Sequence, residues 1–154
     1  FGRLDLLINN AGVAPRYPIE KMTDERIQSV VAINVTAVVY ACRTAWPLLK
    51  ESKGTIINVS SKAASDPSQG FAVYGGTKAF VNLFTQSLAD EGKPHGIKVF
   101  ALAPGAVETK TLRQALPNLP ADKALQPEDI AAAMEWLYDE RSQHLTGQTF
   151  YIVK

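Results

Sequence analysis

Apolar residues in this chain gather into four short runs, Leu4 to Asn9, Thr55 to Val59, Lys98 to Ala103 and Thr149 to Val153. Runs this short, apolar without alternation, are the pattern of strands buried on both faces. Between them the apolar positions recur at helical spacing. Thr23 can cap a helix passing through Asp24, Glu25 and Arg26 and continuing to about Glu51, its early acids favoured by the helix dipole. A break is expected near Asn34, and a kink or a loosened last turn at Pro47. A second helix is predicted from Tyr74 to Glu91, stopped by Gly92 and Pro94, and a third from Pro127 to near Glu140. The order β-α-β-α-β-α-β predicts an open α/β sheet of parallel strands joined by crossover helices.

Composition narrows the function classes. The 154 residues are 46% apolar and 20% charged, with a formal net charge of +1. That describes one ordinary globular domain with a sizeable core. No basic stripe points to nucleic acid, and no apolar run is long enough to suggest a membrane span or a signal peptide, so a cytoplasmic protein is expected. Cys42 is the only cysteine, which excludes an intrachain disulfide and a thiolate cluster, and it reads as a small core residue. His95 and His144 are far apart in polar settings, and no metal site is expected. The chain starts at Phe1 and runs almost at once into a buried-type strand, so it is expected to be part of a longer polypeptide.

The candidate chemistry lies at the ends of the predicted strands. In open α/β sheets ligands bind beyond the carboxyl ends of the strands. Here those ends carry Asn9-Asn10-Ala11-Gly12, Ser60-Ser61 and Pro104-Gly105. Tyr74 and Lys78, four residues apart at the start of a helix, turn through about 400° and share one face. A phenol beside an ammonium ionises more readily, and the Ser61 hydroxyl can hold a carbonyl oxygen against it. The trio reads as a proton-transfer site for a carbonyl or a secondary alcohol. Ala11 and Gly12 let a flat ligand approach the backbone, and Asn10 can donate or accept. Pro104-Gly105, with Val107 and Thr109, offers backbone amides and a hydroxyl suited to a carboxamide, or is only a turn. Asn34, mid-helix among apolar neighbours, is either a kink bonded to its own backbone or a polar group of the site.

Taken in order, these segments closely resemble the short-chain dehydrogenase/reductase family, of the type carrying Asn-Asn-Ala-Gly. The match runs over essentially the whole chain: Asn9-Asn10-Ala11-Gly12, Ile33-Asn34-Val35, Ile57-Asn58-Val59-Ser60-Ser61, Tyr74-Gly-Gly-Thr-Lys78, Gly96-Ile-Lys-Val99 and Pro104-Gly-Ala-Val-Glu-Thr109. The resemblance implies a Rossmann-type doubly wound parallel sheet, of which this chain holds about the last four strands, and NAD or NADP as cofactor. It implies Tyr74 as proton donor and acceptor, Ser61 on the substrate oxygen, and Lys78 lowering the tyrosine pKa and bonding the nicotinamide ribose. Asn34 would hold a water of the proton relay. Asn10, Ala11 and Gly12 would line the adenosine side, and Pro104, Gly105, Val107 and Thr109 the nicotinamide.

The departures shape the expectation equally. The Gly-rich phosphate loop and the residue that separates NAD from NADP are absent, as is the usual glycine pair after the last strand. Residues 1–154 are therefore expected to be the catalytic C-terminal part of a single Rossmann-type domain. The expected activity is NAD(P)-dependent interconversion of a ketone or aldehyde with an alcohol; the alternative is a truncated, non-catalytic binding or interaction module. Ala63, Ala64, Gln69, Phe71 and Val73 before the tyrosine, and Leu112, Leu116 and Leu119 in a lid-like stretch with Pro117 and Pro120, suggest a small, mostly apolar substrate. Those leucines either close over it or simply pack the loop down. Helices apolar on more than one side, with Trp46 on the first and Phe84 on the second, suggest a homodimer or homotetramer.

Overall fold

The computed structural model describes residues 2–154. Four parallel strands, β1 (Leu6–Asn9), β2 (Thr55–Val59), β3 (Lys98–Pro104) and β4 (Thr149–Ile152), pair in chain order with β1 and β4 at the edges. The register sets Leu6 beside Thr55, Thr55 beside Lys98, and Ala101 beside Thr149. β1 starts two residues later than its apolar run because the Leu4 carbonyl accepts the Ser52 hydroxyl at 2.5 Å instead of joining the ladder.

Successive side chains of a strand point to opposite faces, and the core divides accordingly. Ile56 and Val99 pack with Val38, Cys42, Ala45, Leu49, Leu88 and Ala89 of α2 (Ala37–Ser52) and α3 (Ala72–Gly92). Ile57, Phe100 and Leu102 pack on the other face with Ile130 and Leu137 of α5 (Pro127–Tyr138). With both faces covered, the strands have no polar side to present, which is why their sequence lacks alternation.

The first long helix is continuous. α1 (Asp24–Val31), capped by the Thr23 hydroxyl on Arg26 N at 3.4 Å, passes into a π-turn, Ala32–Thr36, and then into α2. The break expected near Asn34 is this widened turn. The helix runs through Pro47, which lies on its exposed side, to Ser52. By length and composition the continuous helix Asp24–Ser52 is apolar enough to cross a membrane, contrary to the sequence reading, although one face of α2 is packed on the sheet. α5 stops at Tyr138, before the expected Glu140, because the extended Asp139 accepts Arg141 N at 2.8 Å and caps a following 3₁₀ stretch. The lid-like stretch contains a short helix, α4 (Lys110–Ala115), that the sequence reading did not resolve.

Candidate active site

The carboxyl ends of β1, β2 and β3 open into one cleft of about 860 Å³. Asn10, Ala11, Gly12, Ser61, Tyr74, Lys78, Pro104, Gly105, Val107 and Thr109 all line it. Asn34 does not; it is fully buried beneath.

Ser61 leaves β2 in extended conformation and caps a 3₁₀ turn, Lys62–Ala64, its hydroxyl accepting Ala63 N at 3.1 Å. α3 then returns to the rim with Tyr74 in its first turn. The approach is close: a Cβ on Gly75 would stand 2.8 Å from the Ala63 carbonyl oxygen. Gly75 is thus what lets the helix bring Tyr74 against the Ser61 turn, a need the sequence reading missed and that only the small residue beside the tyrosine signals.

Burial raises the Tyr74 phenol above its ordinary value, and the neighbouring Ser61 hydroxyl pulls the other way. Lys78, one turn further along α3, makes no hydrogen bond to this phenol among the described residues. The Lys78 Nζ sits 5.9 Å from the centroid of the tyrosine ring and donates instead to the Val59 carbonyl at 2.7 Å. Lys78 is 5% exposed, and burial pushes its ammonium down to about 8. The end of β2 thus anchors the lysine.

Asn34 projects from the π-turn. Its amide donates to the Val13 carbonyl at 2.9 Å and to the Thr77 hydroxyl at 3.1 Å, and its Oδ1 accepts Val13 N at 2.9 Å. The side chain thus pins the loop after β1 to α3. A Cβ on Gly12 would lie 3.4 Å from both the Asn34 Oδ1 and the Lys78 Nζ, so both head groups lie against this glycine. Thr109 caps α4, accepting Leu112 N at 3.2 Å and donating to the Val107 carbonyl at 3.2 Å, so its hydroxyl is already engaged. Beneath the site, Asn9 donates to the Asn58 Oδ1 at 2.8 Å and Asn58 to the Thr85 hydroxyl at 3.0 Å, tying β1, β2 and α3 together. Cys42, 1% exposed and with its thiol pushed up to about 11 by burial, packs beside that chain as the core residue expected.

The apolar wall combines Ala63, Phe71, Leu112 and Leu116 with Ile130, Ala131 and Met134 of α5. Ala64, Gln69, Val73 and Leu119 do not line the cleft, and the α5 residues had no sequence signal separating them from ordinary core positions. Lys62 and Asp66 also line it and pair with each other at 2.9 Å. Among the described residues no group of histidine, cysteine and carboxylate side chains could hold a metal ion.

Fold and cleft together define an α/β protein of the Rossmann type whose strand ends bring Ser61, Tyr74 and Lys78 to one cleft. Residues 1–119 match the family model of the short chain dehydrogenases. The chain is 35% identical to 3beta-hydroxysteroid dehydrogenase 1 of Eggerthella lenta, over 99% of this chain and 63% of that protein. Its structure superposes with TM-score 0.92 on the 3-ketoacyl-(acyl-carrier-protein) reductase from Brucella melitensis complexed with NADH, at 32% identity, covering 99% of this chain and 66% of that one. It superposes with TM-score 0.91 on a gluconate 5-dehydrogenase from Burkholderia cenocepacia in complex with NADP and tartrate, at 25% identity, covering 99% and 64%. This chain belongs to the short-chain dehydrogenase/reductase family of oxidoreductases, and it spans about two thirds of the length of these relatives.

Proposed function

We propose that the protein interconverts a ketone or aldehyde with an alcohol, using NAD or NADP, and that Tyr74 transfers the proton. The observation that carries this reading is the convergence of Ser61, Tyr74 and Lys78 on one cleft. In the reducing direction Ser61 and Tyr74 bind the substrate oxygen, and Tyr74 gives it a proton as the carbonyl carbon is reduced. The raised phenol pKa keeps that proton in place at neutral pH. In the oxidising direction the phenolate accepts the alcohol proton, so this direction gains rate as pH rises towards the tyrosine pKa. Lys78, tethered to Val59, presents a cation at the ribose position, and Asn34 keeps the loop above it in register.

The cleft suits the nicotinamide end of the cofactor. The small side chains of Ala11 and Gly12 allow close approach, Lys78 supplies a donor, and Pro104, Gly105, Val107 and Thr109 form a wall opposite. A nicotinamide held there supplies or accepts the hydride. Among the described residues no glycine-rich turn leads from a strand into a helix start, so the pyrophosphate end of the cofactor has no such seat here. We therefore propose that residues 1–154 are the catalytic C-terminal part of a single Rossmann-type domain whose other strands pair with β1. Ile8 on that edge strand is 40% exposed, an apolar residue without cover. The apolar wall favours a small to medium, mostly apolar carbonyl or alcohol substrate, and a cytoplasmic homodimer or homotetramer completes the proposal.

Titrating the full-length protein with NADH and with NADPH, followed by quenching of tryptophan fluorescence, tests this reading. Saturable binding of at least one is expected. Absence of binding at millimolar concentrations of both would favour the non-catalytic module instead.

A further inference from the structure

Phe71 occupies the N-cap of α3 yet makes no side-chain capping bond. Serine, threonine, asparagine or aspartate at such a position stabilises a helix by about 1 kcal/mol over residues that cannot cap. The phenylalanine ring instead has two partners. It meets the Tyr74 ring, centroids 5.6 Å apart and tilted 57°. The Arg16 guanidinium also lies over it at 5.8 Å. Arg16 is held there by a clasp between the loop after β1 and the loop before α3. Its Nε donates to the Gln69 carbonyl at 3.2 Å, and Tyr17 N donates to the Gly70 carbonyl at 2.9 Å. Gly70 has φ +84°, and a Cβ there would stand 2.9 Å from the Arg16 Cγ, so the clasp requires glycine on steric and conformational grounds alike.

We propose that Phe71 is a positioning residue that fixes the pose of the Tyr74 phenol, with the Arg16–Gly70 clasp pressing it into place; the proposal rests on the proton-transfer reading of Tyr74. A tyrosine in the first turn of a helix has two rotatable bonds, and Ser61 constrains only its hydroxyl end. Phe71 constrains the ring. Because the same ring lines the cleft, it also sets the wall nearest the substrate carbonyl. The loop that presents Asn10, Ala11 and Gly12 is thereby joined to the loop that presents the phenol.

The test reads the pose directly. The full-length protein is labelled with 3-fluorotyrosine, and the Tyr74 fluorine resonance is identified by its loss in Tyr74→Phe. Charged groups around this phenol are Lys78 on its own helix, Lys62 and Asp66 from the preceding loop, and Arg16 beyond Phe71; all stay in place in Phe71→Ala. Removing the ring opens Tyr74 to water, so its resonance should titrate at lower pH in Phe71→Ala and move to a new chemical shift. Arg16→Ala, an exposed change, should shift it the same way by less. An unchanged Tyr74 resonance and titration in Phe71→Ala overturns the proposal. If Phe71→Ala fails to fold, Phe71→Leu, which keeps bulk and loses the ring, decides by the same criterion. In turnover with diacetyl as carbonyl probe, Phe71→Ala should lower kcat about tenfold with KM for the cofactor nearly unchanged, and Phe71→Tyr should recover most of it. Full activity of Tyr74→Phe would remove the proton-transfer reading, while the fluorine titration would still report whether Phe71 holds the ring.

Discussion

Lys78 carries an ammonium into a site only 5% exposed, where it donates to the Val59 carbonyl. With its pKa pushed from 10.5 to about 8, the folded state holds fewer lysine protons than the unfolded state between those values. Stability therefore rises with pH across that window, and the burial penalty is fully present below it. At pH 7 it amounts to about 1–3 kcal/mol. Lys78→Met should thus raise the melting temperature at pH 7 while weakening activity, and its advantage should shrink as pH climbs from about 8 towards 10.5. Thermal melts of both proteins across this range give the check; an advantage that stays constant with pH would mean that the lysine charge is not what is relieved. At this scale the spacing of Tyr74 and Lys78 says little by itself, and the trio with Ser61 became legible through the strand ends and the family resemblance. The sequence could not reveal that the lysine bonds a strand carbonyl, since that depends on where β2 ends beneath α3.

At the scale of elements, β2 is bounded as its apolar run predicts, and α3 and β3 lie within two residues of expectation. These segments are buried on both faces or stopped by glycine and proline, so local chemistry and packing agree. Where they compete, packing decides the outcome. Pro47 faces outward from α2, and the helix, held by Cys42, Ala45 and Leu49 in the core, continues past it. The π-turn at Ala32–Thr36 shows in the sequence only as a break near Asn34; it exists where Asn34 turns inward to the loop after β1. Asn34→Ala would leave the Val13 N–H and carbonyl without their partner and free that loop. We expect a loss of about 2–3 kcal/mol in denaturant unfolding, with a several-fold weaker Kd for NADH or NADPH. Unchanged cofactor affinity in a measurably destabilised Asn34→Ala variant would restrict this residue to a structural role.

At the scale of the whole molecule, the outward faces of α2 and α3 carry Tyr40, Leu48, Phe80 and Leu83, with Leu83 at 65% exposure. Trp46 and Phe84, the residues the sequence singled out for association, are half-buried against the core, and Phe84 stacks on Phe80 at 5.6 Å. Helical periodicity alone could not separate these two sets, because both lie on apolar sides of the same helices. Leu83→Glu is therefore the sharper probe of the proposed isologous contact. Sedimentation at micromolar concentration should show a dimer or tetramer for the parent and a smaller species for the variant, with secondary structure retained. Identical sedimentation of the two would exclude this face. An intact mass well above 16.7 kDa is the companion expectation of a domain that continues beyond these residues.

The most direct measurement is the turnover of Tyr74→Phe in the full-length protein, set beside its affinity for NADH and NADPH. Removing one hydroxyl leaves the ring on Phe71 and the cleft in shape, so cofactor affinity should stay within about threefold while kcat falls by about 10² or more. A Tyr74→Phe protein that binds cofactor and turns over at the parent rate would contradict the assignment of this phenol as the proton donor and acceptor.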